Sequence, residues 1–181
     1  MQHTLIALVE DKPGVLNRVA SLFRRRAFNI ESLTVGHTDV KGVSRMTIVM
    51  DSDNVSAERV TAYLYKLVNV IQIEDVTSRP TVNRDLAMIK VAVSPANRTE
   101  IIQIVDVFRA RIVDVANDSL IIEITGDEEK INGFVDVLRP YGIVEMVRTG
   151  MVSMLRGAVS VPPAFAATNG NGNGKLVKAY A

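Results

Sequence analysis

The apolar pattern of this chain changes period repeatedly, and the changes come in the same order twice. Strands repeat every second residue and helices about every 3.6, so each change of period marks an element boundary. Thr4 to Glu10 reads as a strand, with Ala7 and Val9 on one side and Ile6 and Leu8 on the other. Asp11-Lys12-Pro13-Gly14 interrupts it. Val15, Leu16, Val19, Ala20, Leu22 and Phe23 then recur at helical spacing. Asn29 to Val35 and Val43 to Met50 read as strands around a turn from Gly36 to Gly42. Val60, Leu64 and Leu67 mark a second helix, and Val70, Ile71, Ile73 and Val76 a fourth strand ending at Arg79-Pro80. The order then recurs. Leu86 to Val93 is a strand, and Ile101, Ile102, Val105 and Phe108 mark a helix. Ile112 to Val115 and Leu120 to Ile124 are strands around Asn117-Asp118. Ile131, Phe134, Val135 and Leu138 mark a helix closed by Pro140, and Ile143 to Val147 is the last strand.

Strand, helix, strand, strand, helix, strand, repeated, predicts an α+β fold of two tandem ferredoxin-like βαββαβ units. The expected boundaries are a first domain over 1–79, a linker over 80–85 and a second domain over 86–157. Residues 158–181, with Pro162-Pro163 and alternating Asn and Gly from Asn169 to Gly174, read as a flexible tail. Helices cover one face of such a sheet, yet the first strand is apolar on both. Its second face is either partly exposed or, the favoured reading, paired with another subunit, side by side or face to face.

Composition narrows the chemistry. The chain has no cysteine and two histidines, His3 and His37, so disulfides, thiolate metal sites and Cys nucleophiles are excluded. Both histidines are expected at the solvated surface. A net charge of +1 gives no electrostatic footprint for nucleic acid. RNA-binding sheets of this topology need exposed aromatics on the central strands, whereas Leu5, Ala7, Val9, Met46, Ile48 and Met50 stand there. The run Leu5 to Val9 is too short for a signal peptide, and no apolar run approaches the ~20 residues of a membrane span. A cytoplasmic chain without membrane contact is expected. Asp127-Glu128-Glu129 resembles a metal cluster but precedes a helix, where negative charge is favourable by itself. Arg24-Arg25-Arg26 ends the first helix; it either complements the helix dipole or grips an acidic partner. Scarce nucleophiles and bases favour a binding or regulatory protein.

The most informative segment is Asp11-Lys12-Pro13-Gly14-Val15-Leu16, between the first strand and the first helix. Gly14 lets a ligand approach the backbone. The N–H groups of Gly14, Val15 and Leu16 at a helix start suit a carboxylate, and Asp11 suits an ammonium group. Together they would recognise an α-amino acid. The alternative is a plain helix start with Asp11 as N-cap.

This segment resembles the ACT domain, an amino-acid-sensing module. Asn29-Ile-Glu-Ser-Leu33, Ser44-Arg-Met-Thr47, Lys66-Leu-Val68, Ile112-Val-Asp-Val115 and Arg148-Thr-Gly150 are similar to the small regulatory subunits of acetolactate synthase, also called acetohydroxyacid synthase. The resemblance runs from about residue 1 to Gly157. It implies a subunit without catalysis or cofactors of its own. Its large catalytic partner would hold thiamine diphosphate, Mg²⁺ and FAD in branched-chain amino-acid synthesis. The small subunit would activate that partner and confer feedback inhibition, usually by valine. ACT domains of two chains would pair, with the effector between them. Asp11, Gly14, Val15 and Leu16 would come from one chain, and Asn29, Ile30 and Val35 from the other. Ala27 stands where the family often has Gly; if φ is positive there, Ala costs on the order of 1 kcal/mol. Two rivals remain, separable by co-purification and assay. One is a free-standing amino-acid-responsive regulator of another protein. The other is an acylphosphatase-like hydrolase, which would need an Arg that Asp11-Lys12-Pro13-Gly14 lacks.

Overall fold

The computed structural model describes residues 2–51 and 57–157. The expected tail, 158–181, lies outside the described residues. The chain divides into two compact bodies. Among the described residues, one comprises those up to Val82 together with Ser153–Gly157, and the other is Asn83–Val152.

The first body is built from β1 (Gln2–Glu10), α1 (Val15–Arg25), β2 (Asn29–His37), β3 (Val43–Asp51), α2 (Ala57–Leu64) and β4 (Val70–Asp75). Its strands form an antiparallel sheet in the order β2-β3-β1-β4. Alternation along β1 sends Leu5, Ala7 and Val9 to one side. Met46, Ile48, Met50 and Ile73 join them across the ladders, and Val15, Val19, Leu22 and Phe23 of α1 with Val60 and Leu64 of α2 close the core. Each such fully buried aliphatic or aromatic side chain contributes about 1.5–3 kcal/mol. The residues weighed above against RNA binding therefore point at the helices, not at solvent. The opposite face of β1 and β3 carries Ile6, Leu8, Arg45 and Thr47 and has no aromatic residue, so the conclusion stands on different side chains.

That opposite face departs from expectation. Ile6 and Leu8 are 0% and 1% exposed in the single chain. They cluster with Val43, Ile71, Val76 and Leu155, the last from β9 (Val152–Leu155), a strand the sequence reading missed. Beside Leu155, the Arg45 Nη2 donates to the Ser153 carbonyl at 2.6 Å. Burial pushes the Arg45 guanidinium below its ordinary value. The Arg156 N–H donates to the Pro80 carbonyl at 2.9 Å and its Nε to the Thr81 carbonyl at 3.0 Å. The second apolar side of β1 is thus covered within the chain rather than by another subunit.

The second body contains most of β5 (Thr81–Ala92), then α3 (Arg98–Val107), β6 (Arg111–Val115), β7 (Ser119–Gly126), α4 (Glu128–Leu138) and β8 (Ile143–Arg148). The sheet order is β6-β7-β5-β8, with β9 also pairing β5. Ala87, Ile89, Val91, Leu120, Ile122 and Ile124 pack under Ile101, Val105, Ile131, Phe134 and Leu138 of the helices. β5 begins at Thr81, so residues assigned to a linker over 80–85 are almost all strand. Within the span expected for the second domain, 86–157, Ser153–Gly157 group with the first body.

The repeat is visible in the irregularities as well as in the order. The β2–β3 register shifts between Ile30 and Ser32, and the β6–β7 register between Ile112 and Asp114. The β1–β4 register shifts between Leu8 and Val9, and the β5–β8 register between Lys90 and Val91. Ala27 and Arg109, which follow α1 and α3, both hold left-handed φ, at 55° and 52°. The strain expected at Ala27 is present.

Candidate functional site

The end of β1, the start of α1 and the β2–β3 turn meet at one end of the first sheet. The Asp11 N–H donates to the Gly42 carbonyl at 2.8 Å, tying the segment to the turn. His37 closes β2, and its Nδ1 lies 3.4 Å from Asp11 Oδ2; both side chains remain substantially exposed. Glu10 accepts from Asn69 Nδ2 at 2.6 Å, and Asn69 Oδ1 accepts from Arg18 Nη1 at 2.7 Å. Lys12 Nζ stands 3.2 Å from Glu10. Buried Asn69 thus locks the first turns of α1 to the end of β1, and the site rests on fixed elements.

Gly14 is the N-cap of α1, at φ 82° and ψ −3°, with no side-chain cap. Asp11 is therefore not the cap, which corrects the alternative given above. A Cβ on Gly14 would meet nothing within 4 Å, so the backbone angle demands glycine while the space above it is open. The Val15 N–H is engaged by the Lys12 carbonyl at 3.4 Å, contrary to its expected freedom. The N–H groups of Gly14 and Leu16 have no partner among the described residues. Val15 is buried, and the Leu16 side chain is exposed. The result is a helix start with available donors, an adjacent carboxylate and an apolar side chain in solvent, open to an anion.

The structure does not bring the other expected residues to this place. β1 and β2 run parallel on either side of β3, so Asn29 lies level with Gln2 and Asp51, while Asp11 follows the opposite end. About 25 Å of strand separates those ends. Exposed Val35, opposite Met46, stands nearer the Asp11 end; Ile30 packs partly against the helix-side core. Within one chain, Asp11, Gly14 and Leu16 form one cluster and Asn29 and Ile30 form another. Sequence reasoning missed Asn69, Arg18 and His37. Asn69 left a signal, a polar residue inside the apolar run from Leu67 to Ile71.

The matching corner of the second repeat is built differently. The Val93 N–H donates to the Asp118 carbonyl at 2.8 Å, the counterpart of Asp11 to Gly42. Asn97 Oδ1 accepts from the Ser94 N–H at 2.7 Å, and Arg98 Nη2 donates to the Ala116 and Asn117 carbonyls at 2.9 and 2.7 Å. The chain's own side chains occupy the corner that stays open at Gly14.

Two other expectations resolve locally. Asp127 caps α4, accepting from the Lys130 N–H at 2.9 Å, so the acidic run is a helix start. His3 is half-buried with Nδ1 out of water, not solvated as expected. No described helix is long and apolar enough to cross a membrane.

Two family models match the chain. The one for the small subunit of acetolactate synthase covers residues 84–157, and the one for the AHAS small subunit-like ACT domain covers 5–72. A probable acetolactate synthase small subunit from Archaeoglobus fulgidus is 54% identical over 157 residues, covering 87% of this chain and 98% of that protein. The acetolactate synthase small subunit of Mycobacterium leprae is 50% identical over 155 residues, covering 86% and 92%. The crystal structure of the small subunit from Thermotoga maritima superposes with a TM-score of 0.82 at 39% identity, covering 88% of this chain and 99% of that one. Two halves matched by two models, relatives matched along nearly their whole length and a shared fold place this chain in the family of acetolactate synthase small subunits, with the ACT domain as its first repeat.

Proposed function

We propose that this chain is the regulatory subunit of a cytoplasmic acetolactate synthase: it activates a large catalytic subunit and transmits feedback inhibition by a branched-chain amino acid, valine first among them. In this reading thiamine diphosphate, Mg²⁺ and FAD belong to the catalytic partner. The observation that carries it is the open helix start at Gly14. Its N–H groups would take the effector carboxylate and Asp11 the ammonium group, with Leu16 and Val15 beside the aliphatic side chain.

The second cluster enters through a homodimer. β2 is an edge strand, exposed along much of its length. Antiparallel pairing of β2 with β2 of a second copy would set the Asn29 end of one strand beside the Val35 end of the other. Asn29 and Ile30 would then approach the Asp11–Leu16 corner of the opposite copy. Two chains contribute to each site, so effector binding reads out their relative orientation. Couplings of this kind are typically ~1–3 kcal/mol, roughly 5–150-fold in affinity.

The test mixes the purified chain with its catalytic subunit and assays acetolactate with and without valine. The expected result is higher activity on mixing and inhibition by valine. Titration calorimetry with valine, leucine and isoleucine follows the effector directly. A folded, dimeric chain that gives no heat with any of them is not an amino-acid sensor.

A further inference from the structure

On the helix face of the first body, α1 and α2 flank a groove of about 390 Å³. It is lined by Leu22, Arg25, Arg26, Tyr63, Lys66 and Leu67. The Arg26 guanidinium carbon sits 4.0 Å from the centre of the Tyr63 ring, and Lys66 Nζ lies 5.3 Å from it. Phe28 packs on the same ring, with centroids 6.5 Å apart. A guanidinium stacked on an aromatic ring loses little freedom on binding, and its in-plane N–H groups remain available for a bidentate carboxylate.

The charge around the groove is one-sided. Between Asp11 and Glu31 the sequence has Lys12, Arg18, Arg24, Arg25 and Arg26 and no acidic residue. Between Glu58 and Glu74 it has Arg59 and Lys66 and again no acidic residue. Apart from Glu58 in the first turn of α2, the charged residues of the helices and turns lining the groove are therefore basic, in a chain whose net charge is only +1. No described carboxylate pairs with Arg25, Arg26 or Lys66.

We propose that this groove docks an acidic segment of the catalytic subunit, with Arg26 and Lys66 gripping its carboxylates and Leu22 and Leu67 receiving an aliphatic side chain between them. The proposal rests on the regulatory-subunit reading for the identity of the partner. Charge selects among occupants. A second copy meeting this face two-fold would set cations against cations. The segment from Ala158 to Ala181 has lysines but no Asp or Glu, so it too is repelled. The leucine floor distinguishes an acidic protein segment from a bare polyanion, which would leave it uncovered. Rim charges of this kind act on association rate and salt dependence, while a stacked Arg beside an aromatic is a typical binding hot spot.

The test measures affinity of the full chain for its catalytic subunit across a salt series. Arg26→Glu and Lys66→Glu are each expected to weaken binding at least tenfold and to flatten the salt dependence. Effector heat and the urea midpoint serve as folding controls. Arg26→Lys keeps charge but loses the planar fork, and should fall between. A photoreactive residue at position 66 should crosslink to a catalytic-subunit peptide rich in Asp and Glu. Wild-type affinity in both reversal variants overturns the docking alone. Crosslinking to a second copy, or protection of Lys66 by inorganic triphosphate and not by the catalytic subunit, overturns it in favour of those occupants. Failure of the wild-type chain to bind the catalytic subunit overturns both the docking and the reading beneath it.

Discussion

Gly14 combines a left-handed backbone with open space, and the two properties separate by mutation. Gly14→Ala fills nothing but places a Cβ at φ 82°, which costs about 1–2 kcal/mol. Its urea midpoint should fall while effector affinity stays within a few-fold of wild type. Gly14→Asp should be strained no more, because Asp tolerates the left-handed region and suits a helix start. It nevertheless sets a carboxylate where the effector's carboxylate would lie. Valine inhibition of the reconstituted enzyme should weaken at least tenfold, with activation retained. Unchanged inhibition would remove Gly14 from the site. Ala27→Gly is expected to act in the opposite sense, stabilising by about 0.5–1 kcal/mol in urea unfolding, since it relieves the strain at φ 55°. Among residues, those defined by backbone geometry were legible. Gly14 announces itself through residue type at a turn, and Ala27 through the resemblance, at a position where the family often has Gly. Asn69 and His37 were not, because their roles depend on partners distant in sequence, Glu10, Arg18 and Asp11.

The elements divide in the same way. The eight strands and four helices with a clear apolar period were found where the pattern predicts, and their ends moved by a few residues. The first half of β5 was hidden because Asn83, Arg84 and Asp85 break the alternation. Asp85 is held there by Arg148, whose Nη2 reaches its carboxylate at 2.9 Å while Nη1 reaches Asn132 at 2.9 Å. β9 was hidden by its length, since Val152-Ser153-Met154-Leu155 gives only two inward positions. Its weight is out of proportion to that length. Leu155 completes the cluster over Ile6, Leu8 and Ile71, so Leu155→Ala is expected to cost about 2–4 kcal/mol in denaturant unfolding. Met154→Ala, on the exposed side of the same strand, should change stability by less than about 0.5 kcal/mol. Equal effects would show that β9 does not cover the sheet.

For the whole molecule, the two repeats share topology, bulges and a left-handed residue after each first helix, yet not the open corner. Arg98 and Asn97 fill in the second repeat what Gly14 leaves free in the first. Calorimetry is therefore expected to show about one effector per chain. Two effectors per wild-type chain would make the second corner a site as well. The return of Ser153–Leu155 to the first body also orders events in time. A chain synthesised from its N-terminus presents Ile6, Leu8 and Ile71 while the whole of Asn83–Val152 is still being made, and only then receives Leu155, which completes their cluster with Val43 and Val76. A nascent or clipped chain ending before Ser153 would carry the open Gly14 corner on a sheet whose second apolar face lacks Leu155. Such a species is a natural client for chaperones and a seed for aggregation.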